Sequence, residues 1–121
     1  MTKRSIVHVE FSSRDLKESG KFYENLFGWK IIMVPEMNYA TWEAGEPPMG
    51  GFNPPDMAKP GEVLVYVESD DIEADLKKAK SLGGVILREK TEIPQIGWFG
   101  IFKDPTGNQV GLYTAMARDG H

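Results

Sequence analysis

Cysteine is absent from the 121-residue chain, which excludes disulfides, thiolate metal ligands and a cysteine nucleophile. A protein without disulfides suits the reducing cytoplasm, where we expect this one to reside. No stretch approaches the roughly 20 apolar residues that span a bilayer, so we expect no membrane partner. The first apolar run is interrupted by His8 and Glu10, and we therefore do not expect it to act as a signal peptide.

Basic charge is also scarce, since 14 Lys and Arg residues face 18 Asp and Glu residues and leave a net charge of −4. Binding to nucleic acid requires a clustered basic surface. The longest basic feature, Lys77 to Lys80, lies on a predicted helix among acidic residues and is typical of a solvated helix face. We therefore expect no nucleic acid partner. Neither a G-x-S-x-G nucleophile motif nor a glycine-rich phosphate loop occurs.

The residues that are present predict a strand followed by a helix near the start of the chain. Ser5 to Phe11 alternates between apolar and polar positions, as a half-buried strand does. Ser13 or Asp15 can cap the following helix, and Gly28 ends it. Four aromatic residues in and after this helix are expected in the core: Phe22, Tyr23, Phe27 and Trp29.

The same pattern recurs later in the chain. Glu62 to Glu68 reads as a strand, and Ser69 or Asp70 is expected to cap a helix that runs from Asp71 to Leu82. One offset of 56 positions (71 − 15) superimposes the strand, cap, helix and glycine stop of the two halves. With three further strands predicted in each half, the order is β-α-β-β-β twice, which favours a duplication and an α+β fold.

The expected organisation is a single domain over residues 1–121. Its first module covers about 5–53, a linker rich in Gly and Pro covers about 54–61, and the second module covers about 62–114. The second module ends in a predicted hairpin from Trp98 to Tyr113, whose turn DPTGN has the residues that tight turns favour.

Three motifs carry a resemblance to a known family: HVEF in the first strand, FYENLFGW at the end of the first helix, and DPTGNQVGLY in the last hairpin. Together they resemble the vicinal oxygen chelate superfamily, which contains glyoxalase I, bleomycin resistance proteins and extradiol dioxygenases. The resemblance covers about residues 5 to 114. It implies two tandem βαβββ modules that form a curved mixed sheet around a pocket, and a single glyoxalase-like domain.

The resemblance also implies where a divalent metal would be held, with His or Gln on the first strand and Glu on the last strand of each module. His8 matches the first of these positions, but Leu64 and Gly111 stand at two others, and residues 49–52 offer no carboxylate. A cation needs about three or four ligands. We therefore expect no metal and no other cofactor. An alternative ligand set of His8, Glu10 and Glu68 departs from the family pattern.

His8 and Glu10 are the candidate catalytic residues. His8 is either an imidazole that donates a hydrogen bond or moves a proton in the pocket, or a sheet histidine satisfied by a neighbour. Glu10 is either its acid–base partner or a carboxylate at the rim that faces water. The candidate ligand-binding residues are mostly aromatic, as in many small-molecule pockets: His8, Phe52, Tyr66, Trp98, Gly111 and Tyr113.

The function expected from these residues and from the resemblance is a glyoxalase/bleomycin-resistance-like protein that binds or transforms a small organic ligand without the usual metal. One alternative is a metal-dependent lyase or isomerase that resembles lactoylglutathione lyase. Another is a non-catalytic partner domain. Whether a reaction is catalysed is left open. We expect a homodimer, whose modules either pair within one chain or exchange between chains.

Overall fold

The computed structural model describes residues 4–54, 59 and 61–116. Within these residues the fold is α+β, and the order β-α-β-β-β occurs twice, as the sequence predicts. The predicted linker at 54–61 falls mainly outside the described residues. The chain divides into two compact units, of which one is Val7–Val65 and the other combines the residues up to Ile6 with those from Tyr66 onward, and each half is described by itself. Among the described residues, no helix has the length and hydrophobicity needed to cross a membrane.

The first half consists of four strands and one helix. Its elements are β1 (Ile6–Ser12), α1 (Leu16–Phe27), β2 (Lys30–Val34), β3 (Tyr39–Glu43) and β4 (Met49–Asn53), with a short 3-10 turn at Pro35–Met37. The strands lie in the order β2-β3-β4-β1. β1 runs parallel to β4, while β2 and β3 join by antiparallel pairing, so the sheet of this half is mixed.

Helix α1 begins and ends where the sequence indicates. The Asp15 carboxylate accepts a hydrogen bond from the backbone N–H of Glu18 at 3.1 Å, which makes Asp15 the N-cap. Gly28 adopts the left-handed conformation with φ of 75° and donates its N–H to the Glu24 carbonyl. Gly20 faces the sheet, where a Cβ would meet the Ile31 side chain at 2.9 Å. This close approach lets α1 pack flat on the strands.

The core of the first half lies between α1 and one face of its sheet. Ala40, Trp42 and Phe52 form the buried centre, and partly buried apolar side chains surround it: Val9, Phe11, Leu16, Tyr23, Trp29 and Ile31. The prediction that four aromatic residues pack in this core is only half right. Phe22 and Phe27 lie at the outer edge of α1 with 57% and 58% of their surface exposed, although each still contacts a core ring.

The second half repeats this arrangement with β5 (Val63–Glu68), α2 (Ile72–Ser81), β6 (Val85–Ile93), β7 (Gly97–Lys103) and β8 (Gln109–Ala115). Its strands lie in the order β5-β8-β7-β6, and the predicted final hairpin is the antiparallel pair β7 and β8. One buried cluster of its core consists of Ile72, Leu76 and Leu112, under α2. The N-cap of α2 is Asp71, which accepts from the Ala74 N–H, and neither Ser69 nor Asp70 takes that position.

The duplication is visible in a matching hydrogen-bond group at the start of each helix. In each half a serine two residues before the N-cap accepts the N-cap backbone N–H at 3.1 Å. The same serine hydroxyl contacts a polar side chain four residues after the N-cap. The two groups are Ser13 with Asp15 and Ser19, and Ser69 with Asp71 and Asp75. They are related by the predicted 56-residue offset.

Candidate functional site

The polar face of the first half is set by the alternation of β1. Val9 and Phe11 point to α1, and His8 and Glu10 therefore point to the opposite face of the sheet. In the parallel pairing with β4, His8 stands beside Met49 and Glu10 stands beside Gly51. The chemistry-bearing side chains of this half are thus collected on the face that α1 does not cover.

Four side chains on this face form one hydrogen-bonded chain, which we call the polar group: His8, Tyr39, Glu10 and Asn53. The Nε2 atom of His8 lies 2.7 Å from the Tyr39 hydroxyl oxygen. That hydroxyl donates to Oε2 of Glu10 at 2.7 Å, and the Asn53 amide donates to Oε1 of Glu10 at 2.6 Å. Each carboxylate oxygen of Glu10 therefore has a neutral donor.

The polar group is largely removed from water. Glu10 is 8% exposed and Asn53 is 2% exposed, so the rim position considered for Glu10 is wrong. Burial lowers the pKa of the His8 imidazole, while the charge of Glu10, whose Oε2 lies 3.7 Å from Nε2, raises it. The net effect is a lowered pKa, so His8 is neutral at pH 7.

Two consecutive glycines in β4 make room for rings on both faces of the sheet. A Cβ at Gly51 would clash with the Tyr39 ring, and a Cβ at Gly50 would clash with the Trp42 indole. Trp42 belongs to the core under α1, and Tyr39 belongs to the polar group. Gly51 is thus the residue that lets the Tyr39 hydroxyl reach Glu10.

The second half has a related arrangement around Gly111. A Cβ at Gly111 would clash with the Tyr66 ring, which is 5% exposed and lies edge-on to Phe99. The Tyr113 hydroxyl donates to the Ile96 carbonyl at 3.5 Å, and burial raises its pKa. Tyr66 and Gly111 therefore lie together, and the ring fills the space beside the glycine.

Two predicted ligand-binding residues occupy other places. Phe52 is 1% exposed at the centre of the core under α1. Trp98 packs on the core under α2, together with Phe102. Both belong to strand faces that a helix covers, which corrects their assignment to a ligand pocket. On the same strand, Phe102 faces α2, whereas Phe99 lies on the other face against Tyr66.

Tyr39 and Asn53 are the site residues that sequence reasoning missed. In the sequence, Tyr39 is one of many aromatic residues, and Asn53 stands directly before the predicted linker. The alternation of β4 does place Asn53 on the same face as Gly51. Tyr39 carries no such local signal, because it meets His8 across 31 positions through the pairing of β3 with β4 and of β4 with β1.

The residues at the family's metal positions do not fit a divalent ion. His8 has a suitable nitrogen, but that Nε2 is engaged with Tyr39. Leu64 is a buried hydrocarbon, and the places beside Gly51 and Gly111 are filled by tyrosine rings. Within residues 4–54, 59 and 61–116, no three His, Asp or Glu side chains come close enough to hold an ion.

The second half also contains an open cavity of about 310 Å³ on the α2 side of its sheet. Leu82, Phe102, Pro105 and Leu112 provide much of its apolar lining. The Arg4–Asp75 ion pair, with a shortest distance of 2.6 Å, lies at its edge. None of the predicted site residues lines this cavity, so its shape does not support them.

The sequence of this chain is similar to a known protein family and to curated relatives. A model of the glyoxalase/bleomycin resistance protein/dioxygenase superfamily matches residues 5–112. The putative glyoxylase CFP32 of Mycobacterium bovis is 33% identical over 90 residues, which cover 71% of this chain and 34% of that protein. The chain therefore spans about a third of the length of this relative.

Two solved structures share the fold at low sequence identity. The hypothetical protein BH1468 of Bacillus halodurans C-125 gives a TM-score of 0.72 at 14% identity, and the match covers 99% of this chain and 100% of that one. Methylmalonyl-CoA epimerase of Mycobacterium tuberculosis gives 0.71 at 15% identity, with 97% and 94% covered.

Proposed function

The chain belongs to the glyoxalase/bleomycin resistance protein/dioxygenase superfamily, and we propose that it binds a small, partly apolar organic molecule on the polar face of its first half, without a resident metal ion. The observation that carries this proposal is the polar group. The burial of Glu10 and Asn53 on the face that α1 does not cover costs stability that their hydrogen bonds offset only in part, which indicates that they serve a purpose besides stability. Binding or chemical change of a ligand is such a purpose.

The surroundings of the polar group suit a ligand with an apolar part. Met49 stands beside His8 in the strand pairing and is 41% exposed. Ile32 pairs with Thr41, which pairs with Gly51, and Ile32 is 38% exposed. Small-molecule sites combine such apolar surface with a few placed polar atoms. His8 and Glu10 are the acid–base pair of this proposal, with Tyr39 between them.

A ligand screen by thermal unfolding tests the proposal. Suitable probes are methylmalonyl-CoA, small aromatic acids and phenols. The method detects binding because a ligand at 100 times its Kd stabilises the folded protein by about 2.7 kcal/mol. A true ligand raises Tm in the wild type and less in Tyr39→Phe. Tyr23→Phe is the matched control, since it removes the same atom from a ring under α1. A screen in which no compound moves Tm contradicts the proposal.

The second candidate is a metal-dependent lyase or isomerase, which the imidazole of His8 and the similarity to a glyoxylase support. Elemental analysis of the purified protein separates the two candidates. We expect no stoichiometric divalent metal. A metal bound one to one and lost in His8→Ala would overturn the metal-free proposal and favour the enzyme. We also propose that the protein is a homodimer and that it resides in the cytoplasm. Sedimentation measures the mass of the particle in solution and so tests the homodimer.

A further inference from the structure

We infer that Tyr39 and Asn53 are positioning residues that hold Glu10 so that Glu10, acting through the Tyr39 hydroxyl, fixes the ring proton of His8 on Nε2. The inference concerns the site of the proposed function and rests on it for its purpose. The hydrogen-bond geometry that supports it is independent of any ligand.

The direction of each hydrogen bond follows from counting protons. An ionised carboxylate can only accept, so the single hydroxyl proton of Tyr39 goes to Oε2 of Glu10, 2.7 Å away. The Tyr39 oxygen then has only lone pairs to offer to His8 Nε2, also at 2.7 Å. Nε2 must therefore be the protonated nitrogen, and Nδ1 is the nitrogen that carries the lone pair of the neutral imidazole.

The second residue that positions the Glu10 carboxylate is Asn53. Its side chain is 2% exposed, its Nδ2 donates to Oε1 of Glu10 at 2.6 Å, and its Oδ1 has no hydrogen-bond partner among the described residues. A buried acceptor without a partner is destabilising, and an apolar side chain of similar size would avoid that cost. The compensating role of this amide is its grip on the second oxygen of Glu10.

Gly51 contributes to this arrangement because, without a side chain, it leaves room for the Tyr39 ring. The Tyr39 ring packs against the backbone of Gly51, and the Glu10 carboxylate accepts hydrogen bonds from two donors. Rotation of either side chain would therefore break one of these contacts. The arrangement also occupies His8 Nε2 with a hydroxyl. A metal ion could take that nitrogen only by displacing Tyr39.

Nitrogen-15 NMR of the imidazole rings tests the inference without a ligand. The chain has two histidines, His8 and His121, and the spectrum of His8→Gln assigns them. At pH 8 we expect His8 to show a protonated Nε2 whose proton exchanges slowly with water. The same tautomer is favoured in free histidine, so slow exchange is the decisive readout. A proton on Nδ1, or an Nε2 proton that exchanges as freely as that of free histidine, would overturn the inference.

Three variants separate positioning from simple packing. Tyr39→Phe should abolish the slow exchange, while the matched Tyr23→Phe should keep it. Asn53→Leu should lower stability, since it leaves Oε1 of the buried Glu10 without its amide donor, and should speed the exchange of the His8 proton at least several-fold. If Asn53→Leu leaves the exchange rate unchanged, Asn53 has no positioning role. If the proton is protected but no ligand binds, the inference stands and the proposed function fails.

Discussion

The ring of Tyr39 lies against Gly51 so closely that a side chain at position 51 would collide with its hydroxyl. In the family pattern, a metal-binding carboxylate is expected on this last strand of the first module. The chain therefore has a phenol from β3 where a carboxylate from β4 would otherwise project. The Tyr39 ring and a side chain at position 51 cannot occupy the same space, so substitutions at either position can test this relationship.

Gly51→Ala should destabilise the protein by about 1–3 kcal/mol, because the added methyl group overpacks against the Tyr39 ring. Urea unfolding measures the change. In a Tyr39→Ala background the ring is gone, and the same substitution should cost much less. Equal costs in the two backgrounds would show that the Tyr39 ring is not what excludes a side chain at position 51.

Asp15→Ala and Asp71→Ala should each cost about 1 kcal/mol, because each removes the acceptor that caps a helix. The exposed Lys17→Ala, within α1, is the control and should change stability by less than about 0.5 kcal/mol. The midpoint of urea unfolding reports all three. A negligible effect of Asp71→Ala would contradict the N-cap seen for α2.

The Asp104 carboxyl should titrate far below the usual range. Hydrogen bonds from the Asn108 backbone and side chain, and then from Thr106, lower its pKa to about 2. Because the folded pKa lies below the unfolded value, Asp104 stabilises the fold above pH 4, and the stabilisation is lost as pH falls towards 2. NMR titration of the carboxyl carbon should give a midpoint near the low value. A midpoint in the ordinary range for aspartate would contradict the turn geometry.

His8 should make the fold less stable in mild acid. Burial lowers its pKa, so the unfolded chain takes up a proton more readily than the folded protein does. The contribution of His8 is therefore complete above about pH 6.5 and declines as pH falls through that value. Between pH 8 and pH 5.5, urea unfolding should show a larger loss of stability for the wild type than for His8→Gln. Parallel losses would show that His8 titrates alike in both states.

Sequence reasoning reached the sidedness of β1, both helices and the duplication, because these depend on local spacing and capping. It placed the second cap one or two residues early, since Ser69, Asp70 and Asp71 all have cap-forming side chains and only the backbone selects among them. For the first helix the sequence offered two candidates, Ser13 and Asp15, and Asp15 is the N-cap.

The site was less accessible because its members meet through strand register. The pairing of Thr41 with Gly51 and of Gly51 with Glu10 brings Tyr39 to His8, and register cannot be read from a single strand. Phe52 was misplaced for a related reason. An aromatic residue on a strand suits a core and a pocket equally, and only its neighbours decide between them.

Gly50 and Gly51 also make β4 unusually thin. Bare backbone alone separates the Trp42 indole on one side from the Tyr39 phenol on the other. Trp42 is 4% exposed and stacks on Trp29 with ring centroids 4.7 Å apart. A ligand that shifts Tyr39 would press on the strand that the indole touches. Trp42 is thus a natural optical probe next to the polar group, and its share of the protein's emission, alongside that of Trp29 and Trp98, can report events there without an added label.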